Sequence, residues 1–394
     1  MLLRELFYRP THIVEGGNLE LPGGHQAQHI DLKVHDRNFI VPLLNNLLHS
    51  INGQFAATYK VDLWDKTLLQ SQKFLSGSSL HFFNTSGIDD QTFVAKKPRV
   101  GDIDTMVNKD LRDKLAEFLV SVQNKKIGPA TFLGYKPGNE QFTSLWEFHN
   151  PPIKIQIDFE FVEFALPKQE PTDWARFSHS SSWEDLQSGV KGVFHKYLIQ
   201  SLVSLSKKEF LLRKLVGRGK ARAEQDVPTT DNMLAFAVSS KEGGGLRAKY
   251  EPALDDNGKP IVIDGLDVMR ALPASGYEQN IENMFSILFG HRFSSEKIAK
   301  MSPNFWSFTG LSSILASELS EEERATVARS FTMRLFGSHA QGLYKGDPKR
   351  DAEEKTVALD KLYQVLNVPP LEDLDQLKQD YFAAYKVADT DTSE

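Results

Sequence analysis

The sequence KKPRVGDIDTMV, at residues 96–107, decides the prediction of the fold. Its second half has the composition of a strand, and residues two apart on a strand share one face. Asp102 and Asp104 should therefore point the same way, about 6.6 Å apart at Cα. Two such carboxylates repel each other unless a cation lies between them, and hard divalent ions prefer oxygen ligands. Taken alone, the pair equally fits a strand edge with two solvated aspartates.

A second acidic stretch, at residues 153–161, alternates between large apolar residues and Lys, Gln, Asp or Glu. This alternation predicts a half-buried strand that carries Asp158 and Glu160 on its polar face. If the two strands are neighbours, Asp158 meets Asp102 and Asp104, and three carboxylates converge on a site for divalent metal. By itself, the second stretch also fits an ordinary amphipathic strand with its polar side in water.

The residues around these stretches predict an α+β domain with a mixed sheet, because helices and strands follow each other along the chain. Apolar residues three and four apart predict helices over 39–51 and 110–123. The predicted strands cover 99–107, 131–135, 142–148 and 153–163, with a hairpin turn at 137–139. Residues 85–97 are expected to form an irregular loop.

A Gly-Ser turn lies between the first predicted helix and the Asp-x-Asp strand, in the sequence LSGS at 75–78. A turn of this kind that leads into a helix offers backbone N–H groups and a hydroxyl to an anion. Such turns are common, so the order of the parts is more informative than the turn itself. We therefore identify Gly77 and Ser78 as candidate nucleotide-binding residues.

In these residues the chain resembles the nucleotidyltransferase superfamily that is built on the DNA polymerase β palm. The family combines a hydrophobic residue, Gly and Gly or Ser with an Asp-hydrophobic-Asp strand and a third carboxylate on a later strand. The resemblance covers about residues 39–164, and the interval from Gly77 to Asp102 is longer than usual in the family. It implies that Asp102 and Asp104 hold Mg²⁺ or Mn²⁺. Asp158 would ligate a second ion or accept the proton of the attacking hydroxyl.

The resemblance also implies a reaction, in which a hydroxyl attacks the α-phosphorus of a nucleoside triphosphate such as ATP and pyrophosphate leaves. Cationic side chains near the pyrophosphate would assist this step. Lys191 and His195 are candidates, four residues apart on a long helix predicted after the first domain. Other candidates precede the metal strand, namely Lys96, Lys97 and Arg99. Each of these residues also fits a solvated surface.

The chain is predicted to contain a catalytic domain over 1–166, because the proline-containing segment 167–171 reads as a boundary. A mainly helical domain over 172–346 should follow, with a small β insertion near 233–267. Its first long helix is expected to be capped by the serines at 178–182. The last segment, 347–394, holds 12 acidic and 6 basic residues and is predicted to be an acidic helical tail.

A basic stripe at 207–222 contains seven basic residues and one acidic residue, and is predicted to be a helix end that runs into a basic loop. The residues that could track a phosphate backbone are Arg213, Lys214, Arg218 and Lys220. The stripe makes a nucleic-acid 3′-hydroxyl, such as an RNA end, the first choice of acceptor. A protein or small-molecule hydroxyl is the second choice, because the chain is nearly neutral outside its C-terminal segment.

The composition excludes several classes of protein. The chain has 394 residues, 40% hydrophobic and 25% charged residues and a net charge of −6, which excludes a disordered or collagen-like chain. The absence of cysteine excludes disulfide scaffolds, thiolate metal sites and cysteine nucleophiles. No apolar stretch is long enough to span a bilayer, and no long apolar segment of a signal peptide is present. We therefore expect a cytoplasmic protein without a membrane partner.

Two other functions stay open at this point. A catalytically silent palm could bind nucleic acid or a partner protein, although the presence of all three carboxylates disfavours it. A two-metal phosphodiesterase uses similar oxygen ligands, but it usually needs histidine, and neither acidic strand contains one. The sequence leaves open which nucleotide is used, whether one or many are added, and the oligomeric state.

Overall fold

The computed structural model describes residues 19–83, 90–165, 170–178, 183–216, 223–228, 233–239, 244–273, 276–338, 340, 342–343 and 347–390. The chain divides into two units, Met1–Pro171 and Thr172–Glu394. The division follows directly after the segment 167–171, of which residues 170 and 171 are described. Among the described helices, none has both the length and the apolar character that a bilayer crossing requires.

The first unit combines helices with a mixed sheet, so the predicted α+β class is confirmed. Its strands are β1 (Glu20–Leu21), β2 (His25–Gln26), β3 (Ile30–Asp31), β4 (Arg99–Val100), β5 (Asp102–Asn108), β6 (Lys126–Ile127), β7 (Ala130–Pro137), β8 (Gln141–His149), β9 (Pro152–Val162), β10 (Phe164–Ala165) and β11 (Glu170–Pro171). Its helices are α1 (Arg37–Tyr59), α2 (Lys66–Ser71), α3 (Ser79–Phe83), α4 (Asp90–Lys96) and α5 (Arg112–Ser121).

A five-stranded sheet in the order β5-β9-β8-β7-β6 forms the frame of the first unit. Strands β5 and β9 run parallel, and the other neighbours run antiparallel. The segment before α3 adds to the outer side of β5, where Leu75 pairs with Thr105 and the Ser76 N–H donates to the Asp104 carbonyl at 3.1 Å. The sheet therefore brings the Gly-Ser turn, the Asp-x-Asp strand and the later Asp strand side by side.

The apolar face of the sheet fixes which side chains of these strands point into the core and which point to the site. Ile103 on β5 and Ile157 and Phe159 on β9 are fully buried, as their alternation with polar residues predicts. Trp64 stacks on Phe159 with ring centroids 6.3 Å apart, and its indole N–H donates to the Met106 carbonyl at 2.8 Å. Burial of such large side chains is a major stabilising term, since truncating one to alanine typically costs about 3–5 kcal/mol.

Two predictions for the first unit are wrong in detail. Residues 85–97, predicted as an irregular loop, include helix α4, which packs through the fully buried Phe93; residues 84–89 lie outside the described residues. The predicted strand 99–107 is divided at Gly101 into β4, which pairs with β3, and β5, which pairs with β9. The predicted helix 39–51 is confirmed but continues to Tyr59, and the remaining predicted helices and strands of this unit are confirmed within a few residues.

The second unit is mainly helical with a β region. Its helices are α6 (Asp173–Ser178), α7 (Trp183–Ser188), α8 (Gly192–Leu202), α9 (Ile281–Leu288), α10 (Ser295–Met301), α11 (Phe308–Glu318), α12 (Glu321–Phe336), α13 (Pro348–Leu366) and α14 (Leu374–Thr390). Its strands are β12 (Lys207–Lys208), β13 (Leu211–Val216), β14 (Ala223–Pro228), β15 (Met233–Leu234), β16 (Phe236–Ser239), β17 (Gly245–Ala248), β18 (Tyr250–Pro252), β19 (Val262–Ile263) and β20 (Leu266–Ala271).

The β region is larger than the predicted insertion at 233–267, because it begins at β12 and ends at β20. Strand β13 pairs with β14 along six residues and also with β20. The basic stripe is therefore not a helix end over 207–216, since pairing with the next strand, β14, and with the distant β20 supplies the backbone hydrogen bonds of β13. Residues 217–222, including Arg218 and Lys220, lie outside the described residues.

The long helix predicted after the domain boundary is interrupted. Helices α7 and α8 are separated around Gly189, whose φ of +76° is left-handed and does not continue a right-handed helix. Of the predicted capping serines at 178–182, residue 178 closes α6, and 179–182 lie outside the described residues. The sequence periodicity failed here because one glycine changes the backbone without changing the apolar pattern.

The acidic C-terminal segment, predicted as a helical tail, is helical, but its helices pack into the second unit's core. Leu359 and Leu362 of α13 are fully buried, and Tyr381 anchors α14. The Tyr381 hydroxyl donates to Asp351 at 2.5 Å and accepts from Lys355 at 2.7 Å, within a fully buried ion pair. The many charged residues of the segment made it look like a solvated tail in the sequence, but its helices also have an apolar face that packs on neighbouring helices.

We expect Tyr381→Phe to destabilise the second unit more than Tyr363→Phe does. Both tyrosines are nearly buried, but Tyr363 bonds the neutral hydroxyl of Thr332, whereas Tyr381 bonds two charged groups. Loss of bonds to charged groups should cost about 1.5–3 kcal/mol, against about 0.5–1.5 kcal/mol for the neutral bond. The free energy of unfolding in denaturant measures both values. An equal or larger loss in Tyr363→Phe would contradict the structural role of the buried ion pair.

Candidate metal centre

Three carboxylates converge where β5 and β9 run in parallel register. Asp104 lies directly opposite Asp158, and Asp102 lies opposite Gln156. One carboxylate oxygen from each of the three aspartates lies within 4.8 Å of the other two. The structure thus brings together the three acidic residues that the sequence singled out, and their ability to bind metal stays a prediction.

Asp158 is held in place by two glutamines. The Gln156 amide donates to both carboxylate oxygens at 3.1 Å, and the Gln141 amide donates to one of them at 3.2 Å. Gln156 also accepts a hydrogen bond from the backbone N–H of Leu19 at 3.0 Å, so its own orientation is fixed. Sequence reasoning missed this role, although the position of Gln156 on the polar face of the Asp158 strand is the signal for it.

The Gly-Ser turn contacts Asp104 directly. The backbone N–H of Asp104 donates to the Ser79 hydroxyl at 2.9 Å, and its carbonyl accepts from the Ser76 N–H at 3.1 Å. Gly77 has a left-handed φ of +52°, and a Cβ there would lie 3.0 Å from a carboxylate oxygen of Asp104. Glycine is therefore required at position 77 for two reasons, namely the backbone conformation and the close approach of the aspartate.

Two further charged residues belong to this site. The Lys97 ammonium donates a hydrogen bond to the Ser78 hydroxyl, and the Lys97 side chain is buried. The Ser76 hydroxyl donates to a carboxylate oxygen of Glu160 at 2.7 Å. The sequence placed Glu160 on the polar face without a role and gave Lys97 as one of several candidate cations. The sequence assigned no role to Ser76 or Ser79. Their position beside Gly77 in the Gly-Ser turn is the signal that could have identified them.

The electrostatics of the site favour a cation. Burial, followed by the charges of Asp102 and Glu160, raises the pKa of Asp104 well above its ordinary value, and Lys97 opposes this rise. Burial and the charge of Asp102 raise the pKa of Asp158 to about 7, while the bond from Gln156 lowers it. Ionising all these carboxylates is therefore unfavourable without added positive charge. Hard oxygen ligands in this state fit Mg²⁺ or Mn²⁺.

Two other predicted phosphate contacts, His195 and Lys191, lie in the second unit, and each interacts with a residue of that unit. The His195 side chain is 1% exposed, and a ring nitrogen lies 2.7 Å from the Phe305 carbonyl. Burial lowers the pKa of His195 to about 4, so its ring is neutral at pH 7. Lys191 precedes α8 and forms an ion pair with Glu354 at 3.2 Å. His195 is therefore a core residue rather than a phosphate contact, and Lys191 is partnered by a carboxylate.

The described part of the basic stripe is partly neutralised. The Arg213 guanidinium binds Asp226 through two hydrogen bonds of 2.9 and 2.8 Å across the β13–β14 pair. Its charge is therefore matched within the sheet, and its predicted contact with a phosphate backbone stays a prediction. Lys214, the next residue, is exposed.

Comparison with models of protein families, with curated proteins and with solved structures finds no match to this chain.

The raised pKa values predict how stability depends on pH. A carboxyl group whose pKa is raised by folding stabilises the fold fully below its ordinary pKa near 4, and this contribution is lost as the pH rises through the raised value. With a chelator present, we expect the melting temperature to fall between about pH 5 and about pH 8. Asp104→Asn should reduce this fall, because it removes one of the mutually repelling charges.

Asp113→Asn is a suitable control, since Asp113 is 91% exposed and outside the site. The control should keep the pH dependence of the wild type. Adding Mg²⁺ at about pH 8 should raise the melting temperature of the wild type and of the control, but raise that of Asp104→Asn much less. Equal responses of all three proteins to pH and to Mg²⁺ would exclude a metal site at these carboxylates.

Proposed function

We propose that the first unit catalyses metal-dependent nucleotidyl transfer, moving a nucleoside monophosphate from a nucleoside triphosphate such as ATP to a hydroxyl acceptor. The observation that supports it best is the convergence of Asp102, Asp104 and Asp158 on adjacent strands beside the Gly-Ser turn. This combination is the one that the resemblance to polymerase β-like palms implies. The proposed palm consists of the sheet β5-β9-β8-β7-β6 with α1 and α5.

The order of the parts across the sheet suggests the role of each. The Gly-Ser turn lies on the outer side of β5, whereas Asp158 lies on β9, on the other side of β5. We assign the triphosphate to the turn side, where Gly77 and Ser78 offer backbone N–H and hydroxyl groups. We assign the acceptor to the β9 side, where Asp158 accepts the proton of the attacking hydroxyl.

Asp102 and Asp104, together with Asp158, are the residues that would hold Mg²⁺ or Mn²⁺. A divalent ion bound there would offset the negative charge of the triphosphate and lower the pKa of the acceptor hydroxyl. The remaining contribution of the protein is positioning, since Gln156 and Gln141 orient Asp158, and Ser79 fixes the backbone of Asp104. Positioned groups of this kind account for much of the catalysis of phosphoryl transfer.

The proposed acceptor is a nucleic-acid 3′-hydroxyl, such as an RNA end. Its support is the basic composition of residues 207–222 and the exposure of Lys214, while Arg213 contributes little because Asp226 neutralises it. A protein or small-molecule hydroxyl is the alternative, and the experiments below distinguish these acceptors.

Incubation with labelled nucleoside triphosphates, Mg²⁺ and a pool of RNA, DNA, protein and small-molecule acceptors tests the activity. We expect label to be transferred, and Asp104→Asn to lose transfer and most metal-dependent triphosphate binding. Asp158→Asn should lose about a hundredfold or more in transfer but keep part of the triphosphate binding, since it removes an acceptor-side base. The exposed variant Asp113→Asn should transfer label as the wild type does.

Other outcomes of this experiment would contradict the proposal in different ways. Hydrolysis of the polymer without label transfer would indicate a phosphodiesterase. Triphosphate binding without transfer to any acceptor in the pool would indicate a silent palm. Equal loss of triphosphate binding and transfer in Asp158→Asn would make Asp158 a metal ligand only.

A polymer acceptor predicts steep salt dependence, because each phosphate contact releases counterions. We expect the combined change Lys214→Glu, Arg218→Glu and Lys220→Glu to abolish polymer binding while triphosphate binding at the first unit persists. Arg213→Glu is unsuitable for this test, because it would also break the pair with Asp226. Transfer that is insensitive to salt and to these reversals would favour the protein or small-molecule acceptor.

A further inference from the structure

We propose that Lys97 binds the triphosphate and holds the leaving pyrophosphate against the Gly-Ser turn. The inference depends on the proposed nucleotidyl transfer and supplies the cation which that reaction needs, in place of Lys191 and His195. It is supported by the hydrogen bond from the Lys97 ammonium to the Ser78 hydroxyl, on the turn that also contacts Asp104.

The backbone on both sides of Lys97 is fixed. Its N–H donates to the Phe93 carbonyl at 2.8 Å, which closes the last turn of α4, and Phe93 is fully buried. The next residue, Pro98, accepts a hydrogen bond from the Leu32 N–H at 2.9 Å and leads into β4. The Lys97 side chain is 7% exposed, so it is directed into the protein rather than into solvent.

The Lys97 ammonium meets the parts of the site that would surround a phosphate. It donates to the Ser78 hydroxyl, and its charge acts on Asp104. Gly77 brings the backbone of the turn to within contact of the same aspartate. A cation, a hydroxyl and the backbone of a glycine turn therefore lie together at one side of the carboxylates, which is the combination that recognises phosphate groups.

The balance of charge indicates an anionic partner for Lys97. The charges of Asp102, Asp158 and Glu160 act on Asp104, and among the described residues Lys97 supplies the opposing charge there, one ammonium against four carboxylates. Divalent cations bound to the carboxylates would be positive neighbours of the Lys97 ammonium and would repel it. A polyphosphate at the turn would restore the balance, because its negative charge would attract both the ammonium and the cations.

The two other basic residues before the metal strand are placed differently. Lys96 is exposed, and Arg99 is 54% exposed and lies 3.6 Å from Asp31 in an ion pair. Both side chains therefore lie on a solvated surface, as the alternative to a phosphate contact predicts. Lys96 therefore serves as a matched control, because it is the adjacent residue of the same type and charge.

In the transfer step, a bond forms between the acceptor oxygen and the α-phosphorus while the bond from that phosphorus to the β-phosphate oxygen breaks. The proton of the acceptor hydroxyl goes to Asp158. The electron pair of the broken bond stays with the pyrophosphate, whose negative charge increases. Lys97 stabilises this increase, because its ammonium lies on the turn side of the site.

Binding of Mg²⁺ alone and of inorganic tripolyphosphate with Mg²⁺ tests the inference in Lys97→Met, Lys96→Met and the wild type. Lys97→Met should weaken binding of tripolyphosphate by about tenfold to a hundredfold, because it removes a bond from a charged donor. It should leave the affinity for Mg²⁺ alone unchanged or increase it, since a positive charge beside Asp104 is lost. Lys96→Met should behave as the wild type in both measurements.

These opposite effects separate phosphate binding from a structural role. A parallel loss of both affinities in Lys97→Met would make Lys97 a structural residue and overturn the inference. Lys97→Arg keeps the charge and should bind tripolyphosphate within several-fold of the wild type; a folded Lys97→Arg that fails to bind it would also overturn the inference. Melting curves confirm that each variant is folded.

The same measurements distinguish failure of this inference from failure of the proposed function. If Lys97→Met binds tripolyphosphate as tightly as the wild type does, Lys97 has no phosphate role, and nucleotidyl transfer stands on the carboxylates. If the wild type binds no tripolyphosphate with Mg²⁺ and transfers no nucleotide, both proposals are wrong.

Discussion

The parallel pairing of β5 with β9 is the constraint on which the candidate site depends. Side chains alternate along a strand, so a slip of one residue would replace Asp158 by Ile157 or Phe159 beside Asp104. The buried apolar residues of β9 oppose such a slip, because it would turn them toward the carboxylates. The Thr105 hydroxyl also fixes the register, since it donates to the Asp158 carbonyl at 2.8 Å. The packing of the apolar face thus sets the register that brings the carboxylates of the other face together.

This arrangement places mutually repelling carboxylates close together on one face of the sheet. Each unit by which folding raises a carboxyl pKa corresponds to about 1.4 kcal/mol against the ionised form. The core on the other face, where Trp64 packs on both Phe74 and Phe159, offsets this cost. Removing a charge at the site therefore favours the fold, whereas the proposed metal binding needs that charge, so the proposed function and stability would compete here.

The sequence predicted the strands and the carboxylates because both follow from patterns within a few residues. It did not predict the residues that support them, since Gln156 contacts Leu19 and Ser76 contacts Glu160 across long separations in the chain. The errors have the same origin. Pairing with β14 and with the distant β20 made β13 a strand, and His195 lies in the core because of its fold context rather than its spacing. Local charge likewise concealed the apolar face of the C-terminal helices.

The neighbours of Asp158 on β8 constrain how an acceptor would be recognised. Gln141 and Thr143, which lie beside Asp158 on this strand, are both uncharged and both hydrogen-bond its carboxylate. Lys97 lies on the opposite side of the site, at the Gly-Ser turn. Negative charge is thus drawn toward the turn, whereas amide and hydroxyl groups line the β8 side. An acceptor that approaches from β8 would be oriented by hydrogen bonds, and any attraction by charge would have to come from residues farther from the carboxylates.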